Sequence, residues 1–210
     1  MANRQDCPYC LVVMAKAPVP GKVKTRLINS LGVSHATVIY RQLLTTTLLR
    51  LSAVQGCKVL SCDPHSLHEV FRRLGNRGDW QRRAQPRGDL GKRMSGIVSM
   101  YQHRYPYTLI VGSDLANIDA RYVERCVQRL VGGHDLVLGA TSDGGYGLIG
   151  MSRLHAELFR AIPWSTDRVL QITLARARRL KLKTAVMPGL WDVDNWRDYR
   201  RYHQEKAWVV

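Results

Sequence analysis

Short apolar runs recur along the chain, with amphipathic stretches between most of them. Five runs rich in Leu, Val and Ile have the length of buried strands, and they span residues 11–15, 58–62, 107–112, 135–140 and 145–151. The segments between them carry apolar residues near helical spacing. Strands that alternate with helices are typical of α/β proteins, so we predict a mostly parallel central sheet.

The helical pattern is clearest over residues 34–54, where Ser34 can cap the N-terminus and leucines recur near 3.6-residue spacing. Further helices are predicted over residues 67–74, 90–103, 120–130, 166–180 and 196–206. Residues 141–144 separate the last two predicted strands, and this link is too short for a parallel crossover. We therefore predict a hairpin or a sharp reversal at this point.

The length of 210 residues and the hydrophobic content of 45% fit a single domain over residues 1–210. No segment approaches the roughly 20 apolar residues of a membrane span, and the N-terminus lacks the pattern of a signal peptide. The five cysteines are odd in number and scattered, which favours a reducing compartment over a disulfide framework. We expect a cytoplasmic protein, and its oligomeric state stays open.

The chain is strongly basic, with 32 Lys and Arg against 16 Asp and Glu and a formal charge of +16. Such a charge attracts anionic partners, among them nucleic acids. However, the sequence contains no helix-turn-helix, zinc-finger, KH or RNP pattern. We therefore expect only weak, sequence-independent binding of nucleic acid, and a surface that mainly attracts small anionic substrates.

A dense group of cations follows the first predicted strand. The segment K-A-P-V-P-G-K-V-K-T-R-L, residues 16–27 and here called the first loop, contains Lys16, Lys22, Lys24 and Arg26. Pro and Gly keep its backbone irregular, so cationic side chains and free N–H groups can converge, with Lys24 and Arg26 on one side of an extended stretch. Ligands of open α/β sheets bind at this end of a strand. The pattern predicts a phosphate-binding loop, although not a Walker A loop, and an exposed basic loop is the alternative.

Three aspartates are candidate metal ligands. Asp114 ends the run I-V-G-S-D at the edge of the sheet where ligands bind. Asp192 and Asp194 flank Val193, so in extended chain both carboxylates point the same way and can hold a hard cation. In the alternative interpretation Asp114 caps a helix or lies in a turn, and Asp194 caps the helix predicted from Trp196.

Two segments with glycines allow a ligand to approach the backbone closely. Residues 142–146, S-D-G-G-Y, place Asp143 before two glycines and an aromatic residue, which is equally the composition of a tight hairpin. Residues 88–94, G-D-L-G-K-R-M, open a predicted helix whose N-terminus could cradle a base or a phosphate. No Ser/His/Asp or Cys/His combination stands out in the sequence.

Taken in order, six segments resemble a known family. They are K-A-P-V-P-G-K-V-K-T-R-L, G-D-L-G-K-R-M, V-G-S-D, S-D-G-G-Y-G-L-I-G, I-P-W-S-T and D-V-D-N-W-R-D. Together they resemble a bacterial family of small uncharacterised transferases with the GT-A, or nucleotide-diphospho-sugar transferase, fold. That family is similar to 2-phospho-L-lactate guanylyltransferases and, more distantly, to molybdenum-cofactor guanylyltransferases. The resemblance implies a Rossmann-like α/β domain with helices on both faces of the sheet.

The resemblance also implies roles for individual residues. The catalytic set would be Lys24, Arg26, Asp114 and Asp143. The metal, Mg²⁺ or Mn²⁺, would be held by the three aspartates at positions 114, 192 and 194. Further contacts to the nucleotide and the second substrate would come from Lys16, Pro18, Gly21, Lys22, Thr25, Gly88, Asp89, Gly91, Arg93, Ser113, Gly144, Gly145 and Tyr146.

The chain departs from the family pattern at two positions. The proline usual shortly after the G-S-D acid is Ala116 here, and an acid common in the G-D-L-G-x-R segment is Lys92. Both positions adjoin residues that the resemblance assigns to ligands. The departures therefore bear on the identity of the acceptor and on the geometry of the metal site.

We predict a metal-dependent transferase that uses an activated nucleotide. In the preferred reaction, nucleotidyl transfer, a small phosphorylated or oxyanion acceptor attacks the α-phosphorus of a nucleoside triphosphate and pyrophosphate leaves. The alternative within the fold is a glycosyltransferase that uses a nucleotide-diphospho-sugar, with Asp143 as base. From a different class, a non-catalytic nucleotide- or RNA-binding protein would use the basic surface and leave the acids idle.

Overall fold

The computed structural model describes residues 7–75 and 79–207. Within them one sheet has the strand order β3-β2-β1-β4-β6-β5-β7. Its strands, numbered along the chain, are β1 Cys10–Lys16, β2 Cys57–Asp63, β3 Gln81–Ala84, β4 Thr108–Gly112, β5 Leu136–Thr141, β6 Tyr146–Met151 and β7 Thr184–Leu190. The helices are α1 Thr25–Arg50, α2 Glu69–Gly75, α3 Leu90–Tyr101, α4 Ala120–Val131, α5 Val169–Arg179 and α6 Trp196–Ala207.

Most neighbouring strands run parallel. β1 lies between β2 and β4 and is parallel to both, and the pairs β2 with β3 and β5 with β7 are also parallel. β6 is antiparallel to β4 and β5, so the predicted hairpin over residues 141–144 is present. The expectation of an α/β fold with a mostly parallel sheet is therefore confirmed.

Alternation along β1 explains why helices cover both faces of the sheet. Leu11 and Val13 pack in a core with α1 and α4, whereas Cys10 and Val12 point the other way and pack in a second core with α3 and α5. A smaller cluster around Trp191 joins α6 to α1. Among the described residues no helix is long and apolar enough to cross a membrane.

The first helix begins earlier than predicted. Its first residue is Thr25, so Ser34 is not its N-cap, and its last residue is Arg50. Gly32, with φ 76° and ψ 163°, interrupts the helical geometry, and the pattern that starts at Ser34 belongs to the part after this kink. In the part before the kink, Leu27 packs in the cluster around Trp191, which joins α1 to α6. This contact joins segments far apart in the sequence, and local periodicity does not reveal it.

The two edge strands of the sheet, β3 and β7, were not predicted from the sequence. β3 has the sequence Q-R-R-A, and β7 contains Pro188 and Gly189. Within the described part of the chain each pairs with one neighbouring strand, and neither is fully buried on both faces. An edge strand tolerates charged residues, Pro and Gly, so it shows no apolar run.

Replacing a buried leucine of α1 should destabilise the protein. Leu44 is fully buried, so Leu44→Ala should lower the free energy of unfolding by about 2 to 5 kcal/mol through lost burial and a cavity. Leu49 on the same helix is 54% exposed, and Leu49→Ala should change it by about 0.5 kcal/mol or less. Urea unfolding followed by circular dichroism measures both, and equal losses would contradict the described packing.

Candidate active site

A cavity of about 610 Å³ opens at the carboxyl ends of β1 and β4. Its walls come from the first loop, the end of β4, the β5–β6 hairpin, the start of α3 and the segment that follows β7. Parallel pairing places Met14 of β1 beside Gly112 of β4, so the first loop and Asp114 leave the sheet at the same edge. The volume lies within the range of ligand-binding clefts, about 300 to 1,000 Å³.

The three candidate metal ligands lie together in this cavity. One carboxylate oxygen from each of Asp114, Asp192 and Asp194 lies within 4.8 Å of the others. The segment after β7 reaches the end of β4 through a bridge between Leu115 and Asp192. Val193 is fully buried, so the aspartates on either side of it face the cavity. Three carboxylates at this spacing are a donor set that suits a hard divalent cation.

Asp194 does not cap the helix that follows it. The N-terminus of α6 is satisfied by Asn195, which accepts hydrogen bonds from the N–H groups of Arg197 and Asp198 at 2.9 and 3.1 Å. Asp198 in turn accepts from the N–H groups of Asp194 and Asn195, both at 3.0 Å. The carboxylate of Asp194 is therefore available to the cavity, which removes the capping interpretation.

Lys24 lies between two of the aspartates. Its Nζ donates to Asp114 Oδ2 at 2.7 Å and to Asp194 Oδ1 at 2.8 Å, and its side chain is only 4% exposed. Burial alone would lower the pKa of Lys24, but the charges and hydrogen bonds of the two aspartates raise it above its usual value. Burial acts in the opposite sense on Asp114, and the charge of Lys24 nevertheless lowers the pKa of that carboxyl. Lys24 and Asp114 are therefore both charged.

The backbone brings Lys24 and Arg26 together in an unexpected way. Lys24 has a left-handed conformation, with φ 47°, and Arg26 lies in the first turn of α1, so the two do not share an extended stretch. They nevertheless contact the same carboxylate, because Arg26 Nη1 lies 3.3 Å from Asp194 Oδ2. The side chain of Arg26 is 66% exposed, so this ion pair adds little stability and leaves the guanidinium open to a ligand.

The surroundings of Asp192 disfavour the charged form of its carboxyl. Its burial, together with the negative charges of Asp194 and Asp114, raises the pKa of its carboxyl to about 7. Lys24 lowers this pKa but does not offset the other effects. Two charged carboxylates share one buried ammonium, and the third has none of its own. A divalent cation at this point would relieve the repulsion, so the residues present fit a metal ion.

The structure brings many of the predicted site residues to one cavity and leaves others outside it. Besides the three aspartates, Lys24, Arg26 and Asp143, the cavity is lined by Lys16, Lys22, Thr25, Arg93, Ser113, Gly145 and Tyr146. The predicted contacts that do not line it are Pro18, Gly21, Gly88, Asp89, Gly91 and Gly144. A role in ligand binding stays a prediction for both groups.

For three residues of the second group the structure shows a local reason for the residue type. Asp89 caps α3, because its Oδ1 accepts from the N–H of Lys92 at 2.8 Å. A Cβ on Gly91 would lie 2.4 Å from the carbonyl oxygen of Phe159, and a Cβ on Gly144 would lie 2.2 Å from that of Asp167. Both glycines therefore make room for the segment 159–168, here called the strap.

Sequence reasoning missed several cavity residues, among them Tyr40, Gln85, Trp164, Ser165 and Thr166. Trp164 to Thr166 belong to the I-P-W-S-T segment, which supported the resemblance without being assigned a contact. Tyr40 lies within a helical apolar pattern that predicts a core residue. It is indeed buried, and no signal in the sequence distinguishes its second role.

That second role of Tyr40 is to fix the start of the first loop. Its hydroxyl accepts from the N–H of Lys16 at 2.9 Å, donates to the carbonyl of Lys16 at 3.1 Å and lies 3.0 Å from Ser113 Oγ. Gln85 acts similarly on β1 and β2, because its Nε2 donates to the carbonyls of Ala15 and Ser61 at 3.2 and 3.0 Å. Both residues hold strand ends around the cavity.

The chain was compared with known proteins. A family profile described as an uncharacterized protein conserved in bacteria (DUF2064) matches residues 47–166. This part contains Asp114 and Asp143 but neither the first loop nor Asp192 and Asp194. No curated protein is detectably similar to the chain.

Several solved structures share the fold. A candidate nucleotide-diphospho-sugar transferase from Desulfovibrio desulfuricans G20 is 28% identical, with 90% of this chain and 83% of that chain covered and a TM-score of 0.80. A 4-diphosphocytidyl-2C-methyl-D-erythritol synthase from Anaerococcus prevotii is 9% identical, with 95% and 98% covered and a TM-score of 0.64.

A glucosyl-3-phosphoglycerate synthase from Mycobacterium tuberculosis, in complex with Mn²⁺, UDP and glucosyl-3-phosphoglycerate, is 13% identical to the chain. Here 87% of this chain and 70% of that chain are covered, with a TM-score of 0.52. At this identity the likeness shows the fold alone. The comparisons confirm the expected GT-A-like fold and the resemblance to a bacterial family.

Removing the charge of Asp192 should stabilise the metal-free protein at alkaline pH. Because the folded state raises the pKa of Asp192 from 3.8 to about 7, it binds more protons than the unfolded state between these values, and stability falls as the pH rises through this window. Asp192→Asn avoids this loss. In the presence of a chelator the variant should therefore exceed the wild type by on the order of 2 kcal/mol at pH 8 and by little at pH 4.

Urea unfolding at several pH values measures this difference. The control is Asp79→Asn, because Asp79 is exposed and does not line the cavity, so its difference from the wild type should be small at every pH. A wild type more stable than Asp192→Asn at pH 8 would contradict the described repulsion.

Proposed function

The chain belongs to the bacterial family DUF2064, and we propose that it is a metal-dependent nucleotidyltransferase that transfers a nucleoside monophosphate from a nucleoside triphosphate to a small phosphorylated acceptor. One observation carries the proposal: a single cavity combines three clustered carboxylates with the cations of the first loop. A nucleotide with its metal requires both signs of charge in one place. We further propose that the whole chain forms one domain.

Asp114, Asp192 and Asp194 would hold the metal ion, Mg²⁺ or Mn²⁺. When bound there, the ion would supply positive charge to the phosphates of the nucleotide. The fit rests on the chemistry of the donor set and on the burial and neighbouring negative charges that raise the pKa of Asp192. The choice of metal stays a prediction.

The cations of the first loop would bind the phosphates that leave. The ammonium of Lys24 has three N–H groups and gives two of them to Asp114 and Asp194, so one is left for a phosphate oxygen. Arg26 donates through Nη1 to Asp194 and is otherwise exposed. Lys22 also lines the cavity and adds a third positive charge. These groups would be fixed before the substrate arrives.

In the chemical step, an oxygen of the acceptor phosphate attacks the α-phosphorus and forms a new P–O bond. The bond between the α-phosphorus and the oxygen that bridges to the β-phosphate breaks, and pyrophosphate leaves with both bonding electrons. Negative charge therefore develops on pyrophosphate, where Lys24 and Arg26 would stabilise it more strongly than in the bound triphosphate. The protein would contribute positioning and charge, without a covalent intermediate.

A glycosyltransferase is the second candidate, and one observation favours it. The similar structure from D. desulfuricans is named as a candidate nucleotide-diphospho-sugar transferase. In this reaction the same cations would stabilise a departing nucleoside diphosphate. Asp143 would act as the base, because it lines the cavity and its negative charge reaches the metal-binding aspartates. We prefer nucleotidyl transfer because a triphosphate needs the larger number of cations that the first loop offers.

Neutralising Asp114 should abolish most of the activity while the fold persists. Asp114→Asn removes one charge from the proposed metal site and should lower the rate of pyrophosphate release by on the order of 10²-fold or more. The assay contains Mg²⁺, a mixture of nucleoside triphosphates and small phosphorylated acids and sugars. Asp79→Asn is the matched control and should keep wild-type activity. Full Mg²⁺-dependent activity of folded Asp114→Asn would exclude this residue from the mechanism.

Removing Arg26 should affect the chemical step. Because Arg26 is exposed, Arg26→Ala should fold normally, yet the barrier to single-turnover release of pyrophosphate should rise by roughly 2 to 4 kcal/mol. Arg73→Ala is the control, since the side chain of Arg73 is 78% exposed and, among the described residues, its ion pair is with Glu69 on the same helix. The product decides between the two candidates: release of a nucleoside diphosphate from a nucleotide-diphospho-sugar, with no pyrophosphate under any condition, would establish glycosyl transfer instead.

A further inference from the structure

The strap forms one wall of the cavity and is seated on two glycines. The ring of Trp164 packs against Gly91 of α3, where a Cβ would lie 3.1 Å from its Nε1 and Cζ2 atoms. At the other end Asp167 packs against Gly144 of the hairpin, and the N–H of Leu170 donates to the carbonyl of Gly144 at 3.0 Å. The strap therefore joins α3 to the β5–β6 hairpin.

Arg176 of α5 holds the start of the strap from behind. Its guanidinium donates to three backbone carbonyls, those of Glu157 at 2.9 Å, Ala161 at 3.3 Å and Arg160. Arg176 does not line the cavity. One planar cation that gathers three carbonyls fixes the course of the chain, so Trp164 is presented on a rigid support.

The two walls of the cavity differ in charge. The hairpin and the strap contribute hydroxyl groups, two aromatic rings and one carboxylate, from Thr141, Asp143, Tyr146, Trp164, Ser165 and Thr166. The second wall consists of the first loop and the start of α3. It carries the cations among the described lining residues, which are Lys16, Lys22, Lys24, Arg26 and Arg93.

Arg93 does not reach across to the first wall. It is two residues from Gly91 on α3, so it points to the opposite side of the helix. There its Nη1 donates to Asp63 Oδ2 at 2.8 Å and to Gln85 Oε1 at 3.1 Å. Among the described residues that line the cavity, those of the hairpin and the strap therefore include one carboxylate, Asp143, and no cation.

We propose that the wall formed by the hairpin and the strap binds an uncharged, polyhydroxylated group, the sugar or polyol body of the second substrate. A phosphate or carboxylate here would face Asp143 without compensation. Asp143 Oδ1 already accepts from Thr141 Oγ1 at 2.5 Å and from the N–H of Gly145 at 3.2 Å, so Oδ2 is the atom that can accept from a ligand hydroxyl. The proposal rests on the proposed function and specifies its acceptor: the reacting phosphate faces the cations, and the hydroxylated body faces the strap.

An ammonium ligand fits this wall less well. It would satisfy Asp143, but it offers no acceptor to a hydroxyl group of the same wall such as that of Ser165. A ligand hydroxyl both donates and accepts, so it suits a wall that offers a carboxylate together with hydroxyl groups. The aromatic rings of Trp164 and Tyr146, which meet edge to face at 6.4 Å, add apolar surface against which the C–H groups of a sugar ring can pack.

Nucleotide-diphospho-sugars test the proposal, because such a molecule is the product of nucleotidyl transfer to a sugar phosphate and the donor in glycosyl transfer. Calorimetry in Mn²⁺ compares ADP, CDP, GDP and UDP with their glucose conjugates. For the preferred base, the wild type should bind the conjugate about tenfold more tightly than the diphosphate. Trp164→Ala should remove this preference and leave the affinity for the diphosphate unchanged.

Two further variants distinguish a specific effect of the strap on sugar binding from a general effect of mutation on the protein. Arg176→Met should also remove most of the preference, although Arg176 does not line the cavity, because the strap loses its support. Trp196→Ala is the matched control, since Trp196 lies on α6 outside the cavity and is 44% exposed, and it should bind both ligands like the wild type. Circular dichroism establishes that each variant is folded.

Each result supports or contradicts a defined statement. Diphosphate binding without a preference for any glucose conjugate would overturn the sugar subsite and leave the proposed transferase intact. An equal loss of both affinities in Trp164→Ala, or tighter binding of CDP-choline than of CDP-glucose, would overturn it as well. If no nucleotide binds the wild type in Mn²⁺, the proposed function fails, and the subsite that rests on it fails too.

Discussion

The ammonium of Lys24, held between Asp114 and Asp194, is the interaction on which the site depends. Lys24 comes 90 positions before Asp114 and 170 positions before Asp194 in the sequence. Its two hydrogen bonds therefore join the first loop, the end of β4 and the segment after β7 at one edge of the cavity. Three carboxylates gathered in a partly buried place repel one another, and the buried ammonium of Lys24 offsets part of this repulsion. Burial, together with the repulsion that remains from Asp194 and Asp114, raises the pKa of Asp192. The protein thus keeps a cluster that is complete only with more positive charge.

The main parts of this site could be predicted because they follow from local patterns with a positional rule. Apolar runs mark the buried strands, and in an open α/β sheet the carboxyl ends of those strands define where ligands bind. Lys24 and Asp114 both follow such runs, so their meeting in one cavity required no knowledge of the tertiary contacts. Asp192 and Asp194 share a face because a buried Val193 separates them. The resemblance added the order of the motifs and the identity of the fold.

What could not be predicted depends on contacts between distant segments. Gly91 and Gly144 look like residues that admit a ligand, but the atoms nearest to their missing side chains belong to Phe159 and Asp167 of the strap. The early start of α1 has a similar cause, because Leu27 packs against the distant residues of the cluster around Trp191. The local spacing of apolar residues does not reveal this contact. β3 and β7 lie at the edges of the sheet, where burial is too small to impose an apolar run. A glycine in the sequence can indicate a close contact, but it does not identify the residue that makes the contact.

The strap explains how one sheet can present two unlike surfaces to a single ligand. Four of the lining cations come from the first loop and a fifth, Arg93, from α3, whereas the described residues of the hairpin and the strap that line the cavity include no basic residue. The strap in turn stays in place because two glycines let it approach closely and Arg176 binds its carbonyls from outside. Changes in the strap can therefore alter the wall that it forms without touching the carboxylates or Lys24. In the proposed reaction, the separation of charge between the walls would decide which end of a phosphorylated acceptor lies against each wall.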